Sequence, residues 1–375
     1  MSQIKVGITA TGYNEARNFI NLPYRDVSVL PVVDAFRCLS ALHWKVLGDV
    51  NYFTKHLYWD GGLNRCDLNH FFNGISLVNR PWFVTYETAL PRGVTGRVRD
   101  FLTGRLAHES CRGLIALSRC ALEIQDAQMR ADYPHYYDEI MSKTQVMHPP
   151  QALLVDGASK KISSDRLVFT LIGGDFFRKG GLEVLRVFER LIPKHSQLQL
   201  NIVSRMNYGD YASQTTRHDL DAAMQIIARF PSQITHWPQL ENAQVLELLK
   251  ASDVGLLPTW GDTYGYSALE AQAAGCPVVT TNIRAMPEIN NSDCGWVIDV
   301  KKDSFGNGIL SSTKDRKLFS NQIEEGLEAY VCAIIKNPDV LAEKSRASLE
   351  RIEKFHDPKS HALKLEQMYR AALND

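Results

Sequence analysis

Along this chain, short apolar runs closed by glycine or a polar turn alternate with longer stretches of helical periodicity, and the alternation starts twice. That pattern leaves few folds open. Strands that are apolar throughout and separated by helices build a parallel sheet with both faces covered, because each crossover helix must lie back on the sheet. In the first series, residues 4–9, 67–72, 82–86 and 114–117 read as strands. Residues 27–42 mix β-branched and helical signals, and Ser118 is placed to cap a helix over 120–130. Val146-Met147-His148 then runs into Pro149-Pro150, and residues 149–164, with a glycine and Lys-Lys-Ile-Ser-Ser, read as a linker. The second series is better defined. Strands are expected over 167–172, 198–203, 234–237, 254–257 and 278–281, with helices over 182–192, 220–229, 243–251 and 267–274. Beyond Gly306 the chain reads as helical, over 324–335, 341–355 and 360–373. A chain of 375 residues exceeds one ordinary core. The expectation is therefore two doubly wound α/β domains of Rossmann-like type, residues 1–155 and 165–355, with ligands beyond the carboxyl ends of the strands.

Charge and cysteine usage narrow the function. The 42 basic and 42 acidic residues cancel, so the chain as a whole does not attract nucleic acid, and any phosphate binding must be local. Seven cysteines, scattered and without a C-x-x-C pair, argue for a reducing compartment and against a disulfide framework or structural zinc. The first residues lack a signal-peptide profile, and no apolar run approaches the ~20 residues needed to span a bilayer. The expected location is the cytoplasm, with peripheral contact at the inner face of a membrane left open.

Two segments carry the chemistry. The first is Pro258-Thr-Trp-Gly-Asp-Thr-Tyr-Gly-Tyr-Ser-Ala-Leu-Glu270-Ala-Gln-Ala-Ala-Gly-Cys-Pro-Val-Val-Thr-Thr281. A buried strand ends at Leu257, a loop with Gly261 and Gly265 follows, and a helix starts near Ser267. The free N–H groups of its first turn suit a phosphate, and Gly265 lets the backbone approach a ligand. Asp262 in the loop and Glu270 one turn into the helix supply two acceptors for hydroxyls around one anion site. The second segment, Ile172-Gly-Gly-Asp-Phe-Phe-Arg-Lys-Gly-Gly-Leu182, brings Arg178 and Lys179 to another helix start, an arrangement suited to a diphosphate. The same residues also fit plain βαβ crossovers with glycine-rich turns and solvated charges.

Together the segments resemble the retaining glycosyltransferases of family 4, whose fold is the two-domain GT-B type with two Rossmann-like domains facing across a cleft. In that family a strand ends in a Gly-Arg pair, followed by a loop and Lys-Gly, and the later segment reads P-S-x-x-E-G-F-G-x-x-x-x-E-A-x-A-x-G-x-P-V-V. The resemblance is strong over 165–300 and holds in outline elsewhere. It includes a C-terminal helix, residues 356–375, containing Gln367-Met-Tyr369, which crosses back onto the N-terminal domain. The resemblance implies a nucleotide-diphosphate sugar as donor, uridine preferred over guanosine, and no required metal or cofactor. Gly173, Gly174, Arg178 and Lys179 would hold the diphosphate, and Glu270 the ribose hydroxyls. Asp262 would lie beside the donor sugar, the backbone of Tyr264, Gly265, Tyr266 and Ser267 would contact sugar and phosphate, and Trp237 would lie near the base. Lys179, Asp262 and Glu270 are thus the expected catalytic group. Its acceptor would be a glycan or lipid-linked glycan in cell-surface polysaccharide or lipopolysaccharide synthesis.

Three positions depart from the family pattern. Asp262 replaces a glutamate, Gly174 replaces the arginine of the Gly-Arg pair (leaving Arg178 or Arg205 as the second cation), and Glu87 stands where many relatives have a histidine. These departures also fit a catalytically degenerate subunit that only binds or scaffolds, and the fold also admits a nucleotide-sugar epimerase. On the acceptor side, Gly12, His70 and Glu87 are candidates, although a core or packing role is the stronger reading of His70. The aromatic group Tyr52, Phe53, Tyr58 and Trp59 with Gly61-Gly62 reads as an acceptor loop or a surface patch. Asp219-Leu-Asp221 is the one D-x-D, but it lies in an expected helix, where i and i+2 face apart.

Overall fold

The structure is a computed structural model that describes residues 3–48, 54, 56–156 and 165–374. Tyr52, Phe53 and residues 157–164 of the expected linker lie outside the described residues. The chain divides into two compact units, residues 1–150 with 356–375, and residues 151–355.

The first unit is built on a six-stranded parallel sheet. Its strands are β1 (Ile4–Ile8), β2 (Val27–Pro31), β4 (Leu68–Phe72), β6 (Trp82–Tyr86), β7 (Cys111–Ala116) and β8 (Thr144–Val146), in the order β2-β1-β4-β6-β7-β8. Two short strands, β3 (Leu57–Tyr58) and β5 (Ile75–Ser76), pair separately. The ambiguous stretch after residue 27 resolves into β2 and a helix, Ala35–Leu47, capped by Asp34. Ser118 accepts from the Ala121 amide at 3.0 Å and starts the helix Arg119–Asp132.

Helix Pro358–Asn374 belongs to this unit. Its Ala362, Leu365, Tyr369 and Ala372 are buried, three of them in one cluster with Val6, Leu68 and Phe83. Glu366 accepts from the amides of Arg25 and Asp26. His70 sits under this helix. Its ring is 1% exposed, stacks on Phe19 at 4.1 Å, and bonds Tyr369 Oη at 2.6 Å and Thr85 Oγ1 at 2.9 Å. His70 is therefore a satisfied core histidine and not an acceptor-side residue. Strand alternation turned it to the sheet face that the C-terminal helix covers.

Burial pushes the His70 imidazole down from its ordinary 6.5 to about 3, with the nearby His361 adding to the effect. A base depressed on folding contributes stability above its unfolded pKa and loses it as pH falls toward the folded value. We expect the melting temperature to fall as pH drops from 6.5 toward 3. His70→Gln should flatten part of that slope in pH-resolved thermal melts. His361, pushed down by burial to about 4, retains the rest.

The second unit holds β9 (Leu167–Ile172), β10 (Leu198–Val203), β11 (Ile234–Trp237), β12 (Val254–Leu257), β13 (Val278–Thr281) and β14 (Gly295–Ile298). All pairings are parallel, in the order β11-β10-β9-β12-β13-β14. β9, β12 and β13 are buried along almost their whole length, as central parallel strands between two helix layers must be. β14 escaped the sequence reading. The buried Asn290 side chain stitches it to β13 by donating to Val278 O at 2.9 Å and Trp296 O at 3.0 Å. Asp219 and Asp221 lie on helix Arg217–Arg229, where Asp219 completes a capping box with Thr216 and Asp221 pairs with Arg217 at 2.9 Å.

Candidate active site

In the second unit the chain lays down β9, β10 and β11 outward to one side, then returns to place β12 on the other side of β9. Adjacent loops from β9 and β12 thus diverge at a topological switch point, where such sheets open a crevice. Both motif segments leave from there. Lys179 follows β9, Asp262 follows β12, and the Lys179 ammonium forms an ion pair with the Asp262 carboxylate, each side chain only 12% and 11% exposed. Trp260 N donates to Arg178 O at 2.8 Å, and Thr259 Oγ1 donates to the same oxygen at 3.0 Å, so the loops are tied together by backbone as well as charge.

Each loop ends in a glycine that starts a helix. Gly180 (φ +80°) precedes Gly181–Leu191, and Gly265 (φ +100°) precedes Tyr266–Ala273. Left-handed backbone at these positions excludes other residues at little cost only to glycine. A Cβ on Gly180 would stand 2.2 Å from Pro258 O, and one on Gly265 would stand 2.4 Å from Met286 Cε. Two helix N-termini, the positive ends of their helix dipoles, are thereby held at the carboxyl edge of neighbouring strands. Gly173 serves differently: a Cβ there would meet Lys179 Cγ at 2.9 Å, so its bareness is what lets the lysine stem lie across the end of β9. Around Gly174 the space is open.

The remaining expected residues are placed as follows. Glu270 is buried at 7% exposure, one turn after Tyr266 on the same helix. Tyr264 is fully buried with its ring 5.6 Å from that of Tyr266, and Ser267 is half-buried. Trp237 ends β11, two strands away from β9, and is half-buried. Arg178 does not stand open as a second cation. Its guanidinium binds the Asp175 carboxylate and donates to Gly261 O. Burial alone would lower its pKa, but Asp175 and Asp262 outweigh that and raise it. Arg205 donates to Gln239 Oε1 at 2.5 Å on the surface.

One residue of this region went unnoticed in the sequence. Glu183, wholly buried in the helix that follows Lys179, accepts from Trp260 Nε1 at 3.2 Å and Ser320 Oγ at 2.7 Å. It ties the Asp262 loop to helix Thr313–Lys336. The signal was an acid on the apolar face of a helix, which a charged side chain enters only with partners. Burial raises its pKa from 4.5, partly offset by Ser320 and Trp260. A carboxyl raised on folding contributes stability below its unfolded pKa and loses it as pH rises through the folded value. Between 4.5 and neutrality, Glu183→Gln should therefore lose less thermal stability than the wild type. Parallel melts with equal slopes would show that this carboxyl does not titrate in the folded protein.

The first unit has its own crevice. A cavity of about 790 Å³ opens beyond β1, β4 and β6, lined by Gly12, Glu15, Asn73, Glu87 and Arg92 among others. Glu87 pairs with Arg92 at 2.5 Å. Asn73, also missed in the sequence, has φ +56°, is 4% exposed, and its Oδ1 has no hydrogen-bond partner among the described residues. Among the described residues, no group of three or more His, Cys, Asp or Glu side chains could hold a metal ion, and no helix is long and apolar enough to cross a membrane.

Two doubly wound parallel sheets, each with a topological switch point, define the GT-B class of glycosyltransferase fold. A glycosyltransferase from Rickettsia africae aligns over 100% of this chain and 99% of its own, with TM-score 0.62 and 12% identity. Anabaena Alr3699/HepE, solved in complex with UDP, aligns over 98% and 100% with TM-score 0.60 and 13% identity. At such identity the likeness concerns the fold. Residues 156–329, within the second unit, match the family described as Glycosyl transferases group 1, which supports a transferase enzyme. Glycogen synthase of Mycobacterium tuberculosis is 25% identical over 197 residues, covering 52% of this chain and 40% of that protein. The chain thus matches less than half the length of this relative.

Proposed function

We propose that this protein is a retaining glycosyltransferase that moves a sugar from a UDP-sugar to a glycan or lipid-linked glycan of the cell surface. One observation carries the reading: the Lys179–Asp262 pair between two helix N-termini at the β9/β12 switch point. On this reading Lys179 and the helix ends receive the donor diphosphate, and Glu270 receives the ribose. The bond from the sugar's anomeric carbon to the diphosphate oxygen breaks with its electron pair passing to that oxygen, where the ammonium stabilises the developing charge. The acceptor oxygen bonds to the same face of the sugar, and its proton goes to the departing phosphate. Asn73, Glu87 and Arg92 offer the first unit's cavity as the acceptor side. UDP is the probe of choice because a protein of this fold is solved with it.

Asp262 occupies the Lys179 ammonium, so the diphosphate must displace a carboxylate. Asp262→Ala should therefore bind UDP more tightly, by about 1 kcal/mol or roughly fivefold. Transfer should nevertheless fall, because the acid beside the sugar is gone. Calorimetric titration with UDP and an assay of UDP release check both halves. Weaker UDP binding in Asp262→Ala would contradict the competition, and UDP release that is independent of added acceptor would contradict transfer.

A further inference from the structure

We propose that Tyr211 is a positioning residue of the donor site, its hydroxyl donating to the outer phosphate of the nucleoside diphosphate, a role that rests on the donor reading above. Tyr211 comes from a third loop. Residues 204–216 join β10 to helix Arg217–Arg229, and β10 lies on the opposite side of β9 from β12. The Tyr211 hydroxyl nevertheless reaches the loop that follows β12, for a Cβ on Gly261 would stand 2.7 Å from it. The Gly261 backbone is not left-handed, so other residues could stand there, and its bareness leaves room for that approach. The loop therefore passes over the carboxyl end of β9, where Lys179 meets Asp262. Gly261 directly precedes Asp262, and its carbonyl accepts from Arg178, the residue before Lys179. The hydroxyl thus stands beside the chain neighbours of both members of the pair, and Arg178 feels the Tyr211 oxygen as well as Asp262.

The loop is held in this place by bonds on both sides of the tyrosine. Ser204 Oγ donates to Gly173 O, and Phe176 N donates to Arg205 O at 3.4 Å, so its first residues are stitched to the Lys179 loop. Asp210 Oδ1 accepts from the amides of Ala212 and Ser213, each at 2.9 Å, and Ala212 is 1% exposed. Tyr211, set between these anchored neighbours, is 76% exposed and adds nothing to the core. Its ring is there for a ligand to cover. The site also lacks a donor that a phenol can supply. A diphosphate asks for more than one ammonium already shared with a carboxylate, and the other cations are absent or engaged. Gly174 carries no side chain, Arg178 is held by Asp175, and Arg205 by Gln239. A neutral hydroxyl donates to phosphate without competing with Lys179 for Asp262.

Calorimetric titration of wild type, Tyr211→Phe and Gly261→Ala with UDP and with UMP tests the proposal. We expect Tyr211→Phe to weaken UDP binding by about tenfold, the loss of a hydrogen bond to a charged group. UMP lacks the outer phosphate and should bind wild type and Tyr211→Phe alike. Gly261→Ala, whose added methyl displaces the hydroxyl, should reproduce the loss for UDP. The double variant should bind UDP no more weakly than Tyr211→Phe alone, because both changes remove one contact. The melting temperature of Tyr211→Phe without nucleotide should match wild type, since the ring stands in solvent. Equal UDP affinity in wild type and Tyr211→Phe overturns the proposal and leaves the donor reading intact. An equal loss for UDP and UMP does the same, because the contact would then lie away from the outer phosphate. A wild type that binds neither nucleotide overturns the donor reading itself, and the role of Tyr211 with it.

Discussion

Lys179→Ala should lower the rate of sugar transfer by roughly 10²–10³-fold, the loss typical of removing one preorganised donor to a developing oxyanion. The argument rests on position. Its ammonium stands at the switch point with the stem laid over Gly173, so no neighbouring residue can replace it. Arg178 is already held by Asp175 and Gly261 O, and Arg205 by Gln239. The substitution also strands a partly buried Asp262 carboxylate, which costs about 1–3 kcal/mol of stability. The double variant Lys179→Ala/Asp262→Ala should recover most of the melting temperature and none of the activity. That split separates a chemical role from a structural one. A Lys179→Ala enzyme that turns over near the wild-type rate would remove the site assignment.

Glu270→Ala should weaken UDP binding by roughly 10–100-fold, as expected for charged hydrogen bonds of about 1.5–3 kcal/mol. Glu270 is the acid that the second helix holds one turn beyond its glycine cap, at 7% exposure. If its oxygens take the ribose hydroxyls, wild type should prefer UDP over its 2′-deoxy analogue. Glu270→Ala should bind the two alike, while Glu270→Gln, which keeps one acceptor oxygen, should fall between. Competition binding with the two nucleotides measures the ratio. An undiminished preference in Glu270→Ala would place the ribose elsewhere.

The second sheet was legible in the sequence because central parallel strands are apolar on both faces and end abruptly. β9 to β13 have the bounds that their apolar runs suggest. Its sixth strand was not, since Gly295–Ile298 is short and owes its pairing to the buried Asn290. Helix Thr313–Lys336 begins eleven residues before the expected 324, at a capping box of Ser312 and Asp315 that the sequence did display. There the signal was present and passed over, because the apolar stripe becomes regular only further along.

By itself the sequence determined the class of fold and the two glycine-rich loops that follow β9 and β12. Hydrophobic periodicity and glycine placement are local properties, and each loop carries its own lysine, acid or helix start. Tertiary structure alone decided who stands beside whom. Only strand order makes β9 and β12 neighbours and so joins Lys179 to Asp262 across 83 residues of chain. Only packing shows that His70 is sealed beneath the C-terminal helix and that Glu183 braces the Asp262 loop. Burial and pairing between distant segments are set by the way the sheets assemble, and no window of sequence contains both partners.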